Sequence, residues 1–264
     1  MKRLVKAVIP AAGFGSRLQP LTLAVPKELL PVNRKPMIHW AVEEALAAGI
    51  REICIVIRKG KKSISSYFKT LIGSSNPVWE GFIRELSLAN LQFVFQKEPL
   101  GLGNAIYEAG SFIKDSPFCM IIPDQFLLSK VPATKQLLDA SIKDFQGVWS
   151  SLATISRDEL RFFPGARTFE LTQWTENIWK VTGIRENSGH KGNETLLGFG
   201  RTLFPAGTLE VFSNRFLNPE TGEVDLLPSF EFLIKQYQNY ALILDGQAMD
   251  FGTWEGYEHF SQIL

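Results

Sequence analysis

The residues with the clearest chemical use follow the first apolar run of the chain, in Ala11-Ala12-Gly13-Phe14-Gly15-Ser16-Arg17. Ala12, Gly13, Gly15 and Ser16 are small enough to let backbone N–H groups approach a ligand closely, and successive amides in such a loop cradle phosphate oxygens. Arg17 adds a planar fork of donors suited to the same anion. Further on, Pro20, Pro26 and Pro31 predict an extended stretch that displays Lys27 as a second cation at a fixed distance from the loop. Two common nucleotide motifs are excluded. The Gly-Lys-Ser/Thr of a P-loop is missing, and Leu18 stands where a dinucleotide fingerprint needs its third glycine. Two carboxylates draw notice as well. Asp124 follows the apolar run Phe118-Cys-Met-Ile-Ile-Pro, where a parallel strand delivers a side chain to the ligand-binding edge of a sheet, and Asp250 stands after a strand and before a turn. Taken singly, an aspartate before a turn is more often a cap or an Asx-turn.

In combination the motifs are more specific. Gly13-Phe-Gly-Ser-Arg17, Pro26-Lys-Glu-Leu-Leu-Pro31 and Lys35-Pro-Met-Ile38 together resemble the N-terminal signature of the sugar-phosphate nucleotidyltransferases, and within them of the bacterial uridylyltransferases that act on UTP and glucose-1-phosphate. The resemblance implies that the glycine loop wraps the triphosphate and that Arg17 and Lys27 are the catalytic cations. Phe93-Val-Phe-Gln96-Lys-Glu-Pro-Leu-Gly101-Leu-Gly103 is similar to the base-recognition loop of that family, which implies nucleotide-binding roles for Gln96 and Gly101. An amide offers both donors and an acceptor to the imide edge of uracil. Asn104 stands where the family more often has histidine. Asp124 and Asp250 match the family's two metal-binding carboxylates, so the resemblance implies Mg²⁺ as cofactor. This ion commonly takes one or two carboxylates and completes its shell with water and phosphate oxygens. The implied reaction is a direct displacement at the α-phosphorus of UTP by glucose-1-phosphate, giving UDP-glucose and pyrophosphate. The rival readings are a dTTP-dependent enzyme and, from another class, a catalytically weak sugar-nucleotide sensor.

The resemblance thins toward the sugar end. Gly183-Ile-Arg185-Glu186-Asn187 stands where the family carries Val-Glu-Lys-Pro. Either Arg185 takes the Glu position and Glu186 the Lys position, or a shift of one residue aligns Glu186 and loses the lysine. A guanidinium can replace ammonium on phosphate; an ordinary surface Arg–Glu pair is the plain alternative. Gly198 is the expected glycine packed against the sugar.

Such residues need a scaffold that gathers them. Continuous runs rich in β-branched residues at 5–9 and 53–57 predict strands buried on both faces, 91–95 and 118–122 read as further strands, and they alternate with helical segments at 36–48 and 104–113. Longer strand-like stretches follow at 148–155, 178–184 and 195–204, then a helix at 226–237, a strand at 240–244 and a helix at 254–263. The expectation is an α/β fold: a Rossmann-like, doubly wound, mixed and mostly parallel sheet flanked by helices. It forms a single domain, 1–264, with a nucleotide-binding part over about 1–130 and sugar-binding insertions over about 147–252. With 14 residues beyond Asp250, the expectation is a catalytic domain with nothing appended.

Composition narrows the partners. Lys and Arg number 28 against 27 Asp and Glu, so no overall positive field draws in a nucleic acid or an anionic membrane. The longest stretch without such charges, 145–156, is 12 residues, short of the ~18–20 that cross a bilayer. Cys54 and Cys119 lie in apolar runs, and with a charged, Pro-interrupted start to the chain they predict a cytoplasmic protein. His39, His190 and His259 lack zinc-ligand spacing. The basic cluster at 58–62 reads as a solvated loop. Trp79 and Phe82 are candidates for a lid or for a subunit contact in a homo-oligomer.

Overall fold

In the computed structural model, which describes residues 4–98, 100–185, 193–213, 217, 223–224 and 226–264, the first apolar run forms strand β1 (Lys6–Pro10). A small antiparallel pair follows, β2 (Pro31–Val32) and β3 (Lys35–Pro36), then β4 (Glu52–Ile57), β5 (Asn90–Phe95), β6 (Phe118–Ile121) and β7 (Gln125–Leu128). The second half contributes β8 (Val148–Ser156), β9 (Thr168–Gln173), β10 (Ile178–Arg185), β11 (Glu194–Phe204), β12 (Asn239–Ile243) and β13 (Gln247–Asp250). Nine of these strands form one sheet in the order β5-β4-β1-β6-β11-β8-β12-β10-β9 among the described residues. The first four are mutually parallel. Strand β11 then runs antiparallel to both β6 and β8, β12 is parallel to β8, and β10 and β9 close the edge antiparallel. The sheet is therefore mixed, with a wholly parallel first half.

Helices α1 (Leu21–Ala24), α2 (Met37–Ala47), α3 (Lys62–Ile72), α4 (Glu80–Ser87), α5 (Gly101–Glu108), α6 (Gly110–Ile113), α7 (Ala133–Ser141), α8 (Leu226–Gln236) and α9 (Trp254–Ser261) cover the faces. The period of two in β4 sorts its side chains. Ile53, Ile55 and Ile57 pack with α2, α3 and α4, whereas Cys54 and Val56 pack with Ala105, Ile106 and Phe112 on the opposite face. Both faces are buried, which is why β1, β4 and β6 read as continuous apolar runs. Each predicted strand and helix is present, with shifts of a few residues at the ends. Helix α5 begins at Gly101 rather than 104, and α6 follows after Ala109.

Three local expectations are overturned. The proline-rich stretch is not extended throughout: α1 and a 3₁₀ turn at Lys27–Leu29 occupy it, because Pro20 and Pro26 sit just ahead of each turn, where a missing N–H costs nothing. The basic cluster is solvated only in part: Lys59 and Lys62 are exposed, but Lys61, in a 3₁₀ turn, is buried and ion-paired to Glu28. Phe82 is no lid: Trp79, Phe82, Ile83 and Leu86 recur at helical spacing, and α4 places Phe82 in the core, stacked on His39 at 3.9 Å.

Candidate active site

The carboxyl ends of the parallel strands open onto a cleft of about 590 Å³, the position where open α/β sheets bind their ligands. Ala12, Gly13, Ser16 and Arg17 line it from the loop after β1, Gln96 from the end of β5, Gly101 from the start of α5, and Asp124 from the turn after β6. Lys27, Gly198 and Asp250 complete the set. Gly15 shapes the loop from behind. Its φ of +71° is left-handed, and a Cβ there would meet Thr22 and the Lys27 side chain at 3.1 and 3.2 Å. At Gly13 the protein imposes no such demand, since nothing lies within 4 Å of an added Cβ.

Asp124 and Asp250, separated by half the chain, meet because β13 pairs antiparallel with β7 and sets Asp250 opposite Gln125. A Cβ on Gly252 would lie 2.8 Å from Asp124 Oδ2 and 2.9 Å from Asp250 Oδ1, so only glycine fits between the two carboxylates and the chain. Lys27 Nζ donates to Asp124 Oδ2 at 2.6 Å. Burial alone would lower the lysine's pKa; the charges of Asp124 and Glu28, the hydrogen bond to Asp124 and the charge of Asp250 outweigh it and hold the ammonium protonated. Burial likewise opposes ionisation of Asp124, but Lys27, with help from Arg17, keeps its carboxyl below the usual range. Asp250 is pushed up to about 6, first by burial and then by the charge of Asp124. Its oxygens accept from Gly252 N at 2.7 Å and from Gln125 Nε2 at 2.8 Å.

Two buried carboxylates with one ammonium between them form a site short of positive charge. Hard oxygen donors in this arrangement suit a divalent cation shared with phosphate oxygens. They do not make a self-sufficient metal cage, because no cluster of three or more His, Cys, Asp or Glu occurs among the described residues.

Gln96 is buried, and its Nε2 donates to Gly101 O and to Asn104 Oδ1, both at 2.9 Å. Both amide N–H donors are thus spent within the protein, and Oε1 is the group it can offer a ligand. Gly101, at φ +83°, and Gly103 pack closely against Glu223 and Val224, which seats this loop on the segment leading into α8. Arg17 is exposed, with Nη1 3.4 Å from Pro164 O across the cleft. Gly198 donates to Arg167 O at 2.8 Å, and a Cβ there would touch Phe169 at 3.0 Å.

Arg185 is not brought to the cleft: it is exposed on β10 and ion-paired with Glu170 at 2.6 Å. Glu186 lies outside the described residues. Sequence reasoning missed Glu28, which lines the cleft, and its partner Lys61, whose ammonium bonds both carboxylate oxygens at 2.6 and 2.8 Å. It also missed Gln125 and Gly252. A Pro-Lys-Glu run flagged the neighbourhood of Glu28, but nothing local marks a lysine in a basic cluster as buried.

Comparison with known proteins gives the same picture. Residues 6–264 match the nucleotidyl transferase family. A UTP–glucose-1-phosphate uridylyltransferase of Staphylococcus saprophyticus is 43% identical, over 97% of this chain and 90% of its own. Another, from Staphylococcus epidermidis, is 32% identical over 97% and 91%. Among solved structures, a UDP-glucose pyrophosphorylase complexed with UDP-glucose shares the fold, with a TM-score of 0.82 at 24% identity over 98% of each chain. No helix among the described residues is long and apolar enough to cross a membrane. A parallel-stranded half carrying a glycine loop at its carboxyl edge, and a match over almost the full length, establish that the chain belongs to the nucleotidyl transferase family.

Proposed function

We propose that the chain transfers a uridylyl group from UTP to glucose-1-phosphate, giving UDP-glucose and pyrophosphate. The observation that carries the reading is one cleft holding a glycine loop with Arg17, the buried Gln96 amide, and the Lys27–Asp124–Asp250 cluster. Residues of about 1–130 bind the nucleotide and those of about 147–252 the sugar phosphate. Gly13, with open space around its Cβ position, lets the triphosphate approach the backbone. Oε1 of Gln96 accepts from N3–H of the base, a donor that uracil and thymine have and cytosine lacks.

Asp124 and Asp250 are the residues that would hold Mg²⁺, which when bound would supply positive charge to offset that of the reacting phosphates. Lys27 and Arg17 stabilise the charge that develops on the departing pyrophosphate. The phosphate oxygen of glucose-1-phosphate forms the new P–O bond as the α–β bridge breaks, so no protein nucleophile takes part. Cation supply is the central task, because the molecule carries a formal net charge of only +1. Gly198, which lines the cleft, is the candidate for the sugar face, whereas Arg185, paired with Glu170 away from the cleft, is not assigned to the sugar phosphate, and Glu186 is assigned only through the motif it resembles. Two buried free thiols, Cys54 and Cys119, accord with a cytoplasmic enzyme.

Pyrophosphate release measured over a grid of nucleoside triphosphates and sugar-1-phosphates, with and without Mg²⁺, tests the reading. Turnover is expected with UTP and glucose-1-phosphate and to vanish with chelator. A preference for dTTP would reassign the nucleotide, and silence across the grid would favour a sensor.

A further inference from the structure

The turn that carries Asp124 is gripped from behind by a buried arginine. Arg201, on β11, is 1% exposed, and each of its guanidinium N–H groups has a partner. Nε and Nη2 bond the Glu44 carboxylate at 2.8 and 2.6 Å; Nη1 reaches Ile122 O at 3.0 Å and Gly200 O at 3.1 Å; Nη2 also reaches Gln125 O at 2.8 Å. Glu44, from α2, is in turn held by Thr134 at the start of α7, through N at 2.9 Å and Oγ1 at 2.5 Å. The carbonyls that Arg201 holds, at 122 and 125, bracket Asp124.

Gln125 carries the grip to the second carboxylate. Its Oε1 accepts from Gly200 N at 2.6 Å while its Nε2 donates to Asp250 Oδ2 at 2.8 Å. The seat is built for it. A Cβ at Gly200 would fall 2.7 Å from Gln125 Oε1, and the β11–β8 register shifts between Phe199 and Thr202 to turn Gly200 and Arg201 toward the turn. A side chain with one amide end fixed on a backbone N–H and the other on a carboxylate has a single rotational setting.

We propose that Arg201 and Gln125 are positioning residues that hold Asp124 and Asp250 in one mutual geometry and so set the strength with which the pair takes a divalent cation. The inference rests on the reading of Asp124 and Asp250 as the cation-binding pair. A carboxylate free to rotate about its χ angles must be ordered at the moment of binding, and that ordering subtracts from affinity.

The test uses the full chain and needs no turnover. The affinity for α,β-methylene-UTP, which cannot release pyrophosphate, is measured calorimetrically in chelator and in Mn²⁺, and the ratio of the two reports the metal's contribution. Gln125→Met keeps the length and volume of the side chain but removes both hydrogen bonds; Arg201→Lys keeps a cation beside Glu44 but loses the fork. Each is expected to lower the metal-dependent gain at least fivefold, with the chelator affinity unchanged and, for Gln125→Met, the melting temperature unchanged within 2 °C or so. A space-filling role would leave the Gln125→Met ratio at the wild-type value. That result, with Asp250→Asn losing the gain, would overturn the positioning role and leave the metal assignment intact. If Asp124→Asn and Asp250→Asn also keep the full gain, the metal assignment itself fails and the positioning role with it.

Discussion

Lys27 is held in place before any substrate arrives, because Asp124 bonds it at 2.6 Å and neighbouring carboxylates keep it charged despite burial. Such a preorganised cation acts at full strength when charge develops near it. Lys27→Ala should therefore lower kcat for pyrophosphate release by about 10²–10³, and steady-state assays at saturating UTP would show it; a change confined to KM would assign Lys27 to binding alone. Beside it, Lys61 and Glu28 form a pair at 1% exposure each. Burial lowers the Lys61 pKa and raises that of Glu28, each opposed by the partner's charge. Removing one member strands the other, so Lys61→Met should cost about 3–5 kcal/mol in denaturant unfolding, and adding Glu28→Gln should restore most of it. If the double variant is no more stable than the single one, the pair is not the cause. Arg17, Lys27, Asp124 and Asp250 were picked out by motifs that resemble those of a known family, and they do line one cleft; that the two aspartates meet was not legible in their spacing, because half the chain separates them. Lys61, Gln125 and Gly252 were not legible either, since Glu28, Gly200 and Asp124, which they meet, lie far away in sequence and only the folded chain brings them together.

At the scale of elements, β1, β4 and β6 were legible because burial on both faces leaves an unbroken apolar run, and the edge strand β5, only partly buried, by its apolar residues around Gln92. Helices α3, α4 and α7 were not. Their apolar stripes are narrow and interrupted by polar residues, as in Lys62–Ile72, where only Ile64, Phe68 and Leu71 are buried. Missing α4 also hid the environment of His39, which lies fully buried on α2, stacked on Phe82 and bonded through Nδ1 to Tyr67 Oη at 2.7 Å. Burial, with a contribution from the charge of Lys35, lowers its pKa to about 3. The unfolded chain protonates this histidine near 6.5 and the folded one does not, so the unfolded state binds the extra proton between those values. Stability is full above 6.5 and falls as pH drops toward 3, by about 2 kcal/mol between pH 7 and pH 5. Denaturant unfolding at the two pH values should show that loss in the wild type, and His39→Leu should flatten it by a similar amount. An unchanged slope in the variant would place the pH sensitivity elsewhere.

For the whole molecule, the first and second halves of the chain differ in sequence by the change from short alternating elements to long strands, yet nothing in those strands revealed how the two halves join. The join is β11. It bonds β6 on one side and β8 on the other, so one continuous sheet crosses the floor of the cleft. Hydrophobic clusters spread across the same boundary, since Ile9 and Ile55 of the first part share a cluster with Trp149, Leu197 and Phe251 of the second. Two halves that share a sheet and a core have no weak seam along which to melt separately. Thermal unfolding should therefore be a single transition, with calorimetric and van't Hoff enthalpies in agreement. A ligand that binds only the folded cleft then stabilises the entire chain: UTP at a hundred times its Kd contributes about 2.7 kcal/mol, a rise in Tm of about 5–10 °C for a chain of this size. Calorimetry with and without UTP separates the cases. Two resolved transitions, with only the lower or the upper one moved by UTP, would mean that β11 does not couple the halves and that each carries its own stability.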